Sequence, residues 1–316
     1  MKMASTLIML CLSSFVGLCS FPGLFFAVST VIGFALQCKE KVISSNIYGI
    51  FISSVCTPMS LVAGAKSGCH IYSEITCNFP YANGYLGDVM NFPLQSCKLI
   101  LKLLITLQSF DRYILICKPH LKDGLTIIRA VGAISICFLV GVSNWLLDDQ
   151  SRKAWMDNGV TENEWYTLAS IQRKNENISM PAIEIAYSTY ELLFTSIPCI
   201  FAIYSNFCIK VELEKACAFV SNERRSEKFA RITRLSIYLT ALLVSFFVVD
   251  LIAQGNVMYH KITYVVNVST MTNSKAMKIL YHPIKRLINH LTDSIYCIHS
   301  FLVAFVFFWF MKNISA

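Results

Sequence analysis

An all-α membrane protein, a seven-transmembrane helix bundle, is the fold class that three observations on this sequence predict. The chain of 316 residues is 55% hydrophobic and only 15% charged, against roughly 25% charged in soluble domains. Its mean hydropathy is +0.55. Seven apolar runs, each about the ~20 residues a spanning helix needs or longer, follow one another with polar segments between them. No repeat, low-complexity stretch or linker divides the chain, so residues 1–316 read as a single bundle.

The first run covers 7–37. Lys2, the apolar Leu7 to Leu18 and the small residues after them have the layout of a signal peptide, which would leave Phe21 to Gln37 as the span. The other reading is one uncleaved, tilted helix with Pro22-Gly23 as a kink or boundary. It is the one adopted, because Phe21 to Gln37 alone is marginal for a span. Cys38-Lys39-Glu40-Lys41 makes a polar turn before the second run, 46–65, which carries Pro58 as a kink. A wet loop is expected from Lys66 to about Leu86.

The third run, 87–116, ends in Asp111-Arg112-Tyr113. An acid directly before an arginine at the end of a membrane-length apolar helix compensates a guanidinium at the lipid–water boundary. The fourth run is 127–147, and Asp148 to Pro181 reads as a long polar connection. The fifth run is 182–211, around Pro198; the sixth is 232–254 and the seventh 287–311.

Charge sets the expected orientation. If Arg112 is cytoplasmic, the inner segments hold Lys39, Lys41, Lys118, Lys122, Arg129, the cluster Lys210 to Arg234, and Lys312, the excess that the positive-inside rule requires. The amino terminus is then outside. The net charge of +8 is explained by this placement, and no nucleic-acid partner is expected. The sequons at Asn177 and Asn267 fall in outer segments and are candidate glycosylation sites, whereas the one at Asn313 falls inside. Cys69 and Cys77 share the outer, oxidising side, where they make either a small loop disulfide or two free thiols.

The other cysteines, Cys11, Cys19, Cys56, Cys97, Cys137, Cys199 and Cys297 among them, sit mostly in apolar runs and read as packing residues. No Cys/His spacing resembles a zinc site, no glycine-rich phosphate loop occurs, and no motif gathers a Ser/His/Asp set. Neither enzyme activity nor a metal or cofactor is expected.

Seven spans, an outside amino terminus and the stretch Ser109-Phe110-Asp111-Arg112-Tyr113-Ile114-Leu115-Ile116-Cys117-Lys118-Pro119 together resemble the rhodopsin-like (class A) G-protein-coupled receptors. Asn46-Ile47-Tyr48 and Pro198 are further, weaker matches. The resemblance implies a divergent, orphan-type plasma-membrane receptor that couples an extracellular ligand, peptide or small molecule, to a heterotrimeric G protein through Asp111, Arg112 and Tyr113. Several family positions are occupied differently. The second-helix aspartate aligns on Cys56, the fourth-helix tryptophan near Phe138, the third-helix disulfide cysteine on Gly87, and the sixth-helix tryptophan switch on Asp250. The seventh-helix Asn-Pro-x-x-Tyr aligns on Val303-Ala304-Phe305-Val306-Phe307, and the chain ends at Ala316 without room for an eighth helix. Two other functions therefore stay open: a non-signalling relative, and a multi-pass transporter or channel subunit.

Charges inside the spans mark the candidate site. Lys98 and Lys102 are one turn apart on one face of the third helix, ~21 and ~15 Å from Arg112 at about 1.5 Å per residue. A lysine at that depth faces the bundle interior and needs a partner. Asp250 is expected to pair with one of them, in place of the family's aromatic switch. The second lysine is expected either to meet an anionic ligand group or to pair with Glu191. Asp293 and His299, with His290, are candidates for a polar pocket on the seventh helix. A purely structural pair that fixes helix packing is the competing reading.

Overall fold

The computed structural model describes residues 2–40, 44–76, 85–124, 127–157, 182–218, 233–235, 237–252, 255 and 283–314. The described residues form seven long helices: α1 (Lys2–Glu40), α2 (Ser44–Thr76), α3 (Tyr85–Cys117), α4 (Ile127–Asp157), α5 (Ala182–Ala218), α6 (Thr233–Ile252) and α7 (Pro283–Ile314). A 3₁₀ turn, Pro119–Gly124, follows α3. Five of the helices, α1, α2, α4, α5 and α6, are long and apolar enough to cross a membrane. Among the described residues α3 and α7 do not meet that measure: α3 carries Lys98, Lys102, Asp111 and Arg112, and α7 has the shorter apolar stretch Ser294–Trp309.

Exposure follows the same division. Phe21, Ile128, Leu139 and Phe207 are 79%, 83%, 67% and 62% exposed, a density of bare apolar side chains on α1, α4 and α5 that water does not tolerate and lipid does. The protein is a membrane protein. Inside, Leu101, Leu104 and Ile105 of α3 are fully buried, and α3 packs against α2, α4 and α5. α1 lies on the other side, against α2 and α7.

α1 runs unbroken through Pro22 for 39 residues, so the proline neither ends nor divides it. Its contact with α7 is aromatic: the Phe26 ring lies 6.1, 5.4 and 5.0 Å from those of Phe301, Phe305 and Phe308. Its contact with α2 is made by small residues. A Cβ at Gly64 would stand 2.9 Å from Ser20 Oγ, and Ser67 donates to the carbonyl of Ser13. Close approach between small residues is how helices gain dispersion energy in lipid, where apolar burial alone drives nothing. Ser20 and Thr30 turn their hydroxyls onto their own helix, at Gly17 O and Phe26 O, both at 2.7 Å, and so enter the apolar layer satisfied.

Three expected boundaries are corrected. α2 continues to Thr76 through the segment expected to be a loop from Lys66; α4 continues from 147 to Asp157; and α5 continues from 211 to Ala218. Hydropathy ends where the lipid ends, whereas helical hydrogen bonding continues until a breaker or a loss of packing stops it. Between Lys66 and Thr76 there is no proline, and the chain stays helical.

Candidate functional site

On α3, at about 100° per residue, Lys98, Lys102, Ile105, Ser109 and Arg112 fall within about 80° of arc. Lys98, Lys102 and Ser109 of that stripe reach side chains on α7, α6 and α5 respectively. At its centre Lys102, 3% exposed, forms an ion pair with Oδ2 of Asp250 on α6. Tyr296 of α7 donates its hydroxyl to the other oxygen, Oδ1. Both carboxylate oxygens are thereby used, and three helices meet at one side chain. The Lys98 ammonium lies 4.0 Å from the Tyr296 ring centroid, and that of Lys102 5.3 Å from the same ring. The electron-rich face of the phenol is a suitable neighbour for cations withdrawn from water.

Glu191 on α5 brings a second carboxyl group to the cluster. It hydrogen-bonds with Tyr187 and interacts electrostatically with Lys102, Asp250 and Lys98. The cluster thus gathers two lysines and two carboxyl groups in a medium where an uncompensated ion is costly. Next to it, His299 Nε2 lies 2.6 Å from Ser245 Oγ, and the imidazole packs 4.1 Å from the Phe246 ring. His299 Nδ1 is buried with no hydrogen-bond partner among the described residues.

Toward Arg112 the α3–α5 contact combines the Phe110–Phe201 ring pair, centroids 5.3 Å apart, with two polar bonds. Thr106 Oγ1 donates to its own helix at Lys102 O, 2.9 Å, and reaches Pro198 O on α5 at 3.3 Å. One turn on, Asn206 Nδ2 donates to Ser109 Oγ at 3.1 Å. Asp111, 4% exposed, interacts electrostatically with Tyr48 of α2 and with Arg112. Arg112 Nη1 is buried and has no hydrogen-bond partner among the described residues. The Tyr113 ring stacks 6.4 Å from that of Phe110.

The structure therefore brings Lys98, Lys102, Asp250 and Glu191 together, and holds His299 beside them. Asp111, Arg112 and Tyr113 form a separate group at the far end of α3. Cys69 is a half-buried free thiol in α2, while Cys77, Asn177, Asn267 and the side chain of Asp293 lie outside the described residues. No group of three or more metal-ligating side chains occurs among the described residues. Sequence reasoning missed Tyr296, Tyr187, Ser245 and Asn206. Each sits in an apolar helix, where a lone hydroxyl or amide reads as packing until its partner is known.

No family profile and no curated protein matches the sequence. Among solved structures, the crystal structure of squid rhodopsin superposes on the chain with a TM-score of 0.54 at 13% sequence identity, covering 93% of this chain and 81% of that one. At that identity the likeness is one of fold. The chain has a rhodopsin-like seven-helix fold, the fold that the sequence led one to expect.

Proposed function

We propose that this chain is a plasma-membrane receptor, amino terminus outside, that transmits binding of an extracellular peptide or small molecule to a cytoplasmic heterotrimeric G protein. The observation that carries this reading is the state of Arg112. In a rhodopsin-like bundle it lies in the last turns of α3 beside Asp111, with one guanidinium nitrogen buried and without a hydrogen-bond partner among the described residues. A buried donor of that kind is costly to leave unmade and has most to gain from a carbonyl or carboxylate brought by a partner. Asp111 offsets its charge in the absence of that partner. The sequons at Asn177 and Asn267 support an outside location for the segments before α5 and before α7.

The test is nucleotide exchange on a panel of purified heterotrimeric G proteins, with the chain in lipid nanodiscs and a ligand library. Exchange that depends on the chain and is lost in Arg112→Ala supports the receptor reading, and Asp111→Asn should raise exchange without ligand. Background exchange with every G protein, persisting in Asp111→Asn, sinks it in favour of a non-signalling relative.

A further inference from the structure

α3 and α5 run side by side in the same direction, and their side chains meet in the same order along both. Thr106 reaches Pro198, the rings of Phe110 and Phe201 lie 5.3 Å apart, and Tyr113 interacts electrostatically with Tyr204. Tyr113 and Tyr204 each stand three residues past those phenylalanines, and the next turn of each helix puts Cys117 of α3 opposite Cys208 of α5. At about 100° per residue, Cys117 projects within about 20° of the direction of Phe110, and Cys208 within about 20° of that of Phe201. The two thiols accordingly interact electrostatically, and Tyr204 hydrogen-bonds with Cys208. Both cysteines are free and half-buried. Helices in contact bring facing Cα atoms to about 5 Å, within the roughly 4.4–6.8 Å that a disulfide spans.

We propose that Cys117 and Cys208 are a redox-sensitive pair, which a peroxide converts to a disulfide that staples the Arg112 end of α3 to α5. One thiol attacks the peroxide O–O bond, giving a sulfenic acid and a first water; the second thiol then attacks that sulfur, forming the S–S bond and releasing a second water. The two thiols lose two electrons and two protons, and the peroxide takes up both. A small dithiol reverses the bond by exchange. Charges of both signs surround Cys117, Lys118 and Lys215 against Glu212, so the nearness of the second thiol, rather than an activated first one, carries the reaction. Cys56 and Cys97 also interact, but Cys56 is fully buried and closed to a water-borne oxidant. Cys117, by contrast, closes α3 directly before the exposed Lys118 and Pro119. The bond would fix the spacing of the two helices about 7.5 Å along α3 from Arg112. Under the orientation proposed above this end meets the cytoplasm, where thiols are kept reduced and a disulfide is transient. The nearness of the two sulfurs does not depend on the receptor reading.

The experiment maps the linkage in the full chain in lipid nanodiscs, with no G protein present, so its outcome is separate from that of the nucleotide-exchange test. Hydrogen peroxide is added, the thiols that remain among the 13 cysteines are blocked with N-ethylmaleimide, and the unreduced digest is read by mass spectrometry. The expected product is a peptide pair joined through Cys117 and Cys208, absent before oxidation and lost on adding a dithiol. Cys117→Ser and Cys208→Ser should each abolish it. Because the bond closes a loop that contains α4, oxidation should also raise the midpoint of thermal unfolding of the wild type by several degrees more than that of either variant. Cys117 and Cys208 recovered as free thiols, or oxidised separately with no linked peptide, overturn the proposal. A linked peptide that leaves the wild type no more stabilised than Cys208→Ser overturns the staple.

Discussion

The Lys98 ammonium rests 4.0 Å from the centroid of the Tyr296 ring, the ring whose hydroxyl is bonded to Asp250. One side chain of α7 thus serves the upper lysine with its face and the carboxylate with its edge. Replacing Tyr296 by Phe removes only the second function, and replacing it by Leu removes both. A hydrogen bond to a charged group contributes about 1.5–3 kcal/mol, and a desolvated cation on an aromatic face about 2 kcal/mol or more. Thermal unfolding in detergent should therefore show Tyr296→Leu clearly less stable than Tyr296→Phe, with both below wild type. Equal losses would mean that the ring face contributes nothing to holding Lys98.

Close packing of α3 on α4 depends on Gly141. A Cβ there would stand 2.3 Å from Ile100 Cγ1 and 3.1 Å from the carbonyl of Ser96. The isoleucine is buried and the carbonyl belongs to the backbone of α3, so the helices must separate. Gly141→Ala should lower stability by about 1–3 kcal/mol, the usual cost of overpacking. Gly132, on the same helix, has nothing within 4 Å of its would-be Cβ. Gly132→Ala is therefore the control, expected to be neutral or slightly stabilising because alanine is the better helix former. Thermal shift measurements on the two variants should differ in sign or by several degrees.

The bridge from Asn206 to Ser109 predicts a smaller effect. Polar bonds between membrane helices are worth about 0.6 kcal/mol on average, with a maximum near 1.7 kcal/mol. Asn206→Leu should cost about 1 kcal/mol in the same assay, and Ser109→Ala about as much. The double variant should cost less than the two losses added together, since each single change already breaks the shared bond. Strict additivity would show that the two side chains do not interact.

A pairing of Asp250 with one of the two lysines was legible before any coordinates, and the structure makes Lys102 that lysine. A lysine inside the bilayer cannot face lipid, so two lysines one turn apart fix the inward face of α3, and the resemblance to the receptor family, whose sixth-helix switch position packs against the third helix, pointed to Asp250 as the partner. Glu191 was legible on the same ground. Tyr296 was not, since a tyrosine in an apolar run carries no charge that has to be answered, and its role is set by a residue 46 positions away. The helix ends beyond Lys66 and 147 were missed for another reason. Hydropathy falls off along those turns, whereas the helical hydrogen bonding continues to Thr76 and Asp157. The overall bundle, by contrast, needed only the seven apolar runs and the Asp111-Arg112-Tyr113 ending.

Breaking the buried pair and removing it should have opposite consequences. Lys102→Met leaves Asp250 with a hydroxyl and no cation, and stranding one partner of a buried pair typically costs about 3–5 kcal/mol. Lys102→Met combined with Asp250→Leu leaves no charge to strand, and apolar replacement of a whole buried pair is often neutral or stabilising. Folded yield and thermal stability should thus be lowest in Lys102→Met and return toward wild type in the double variant. Lys98→Met should fall between them, because Glu191 then loses one of the two lysines in its field and keeps the other. If the double variant is less stable than Lys102→Met, the pair itself supplies net stability. If it is restored in stability yet shows α6 at a spread of distances from α3, the charges are there to position the helix, at no gain in folding energy.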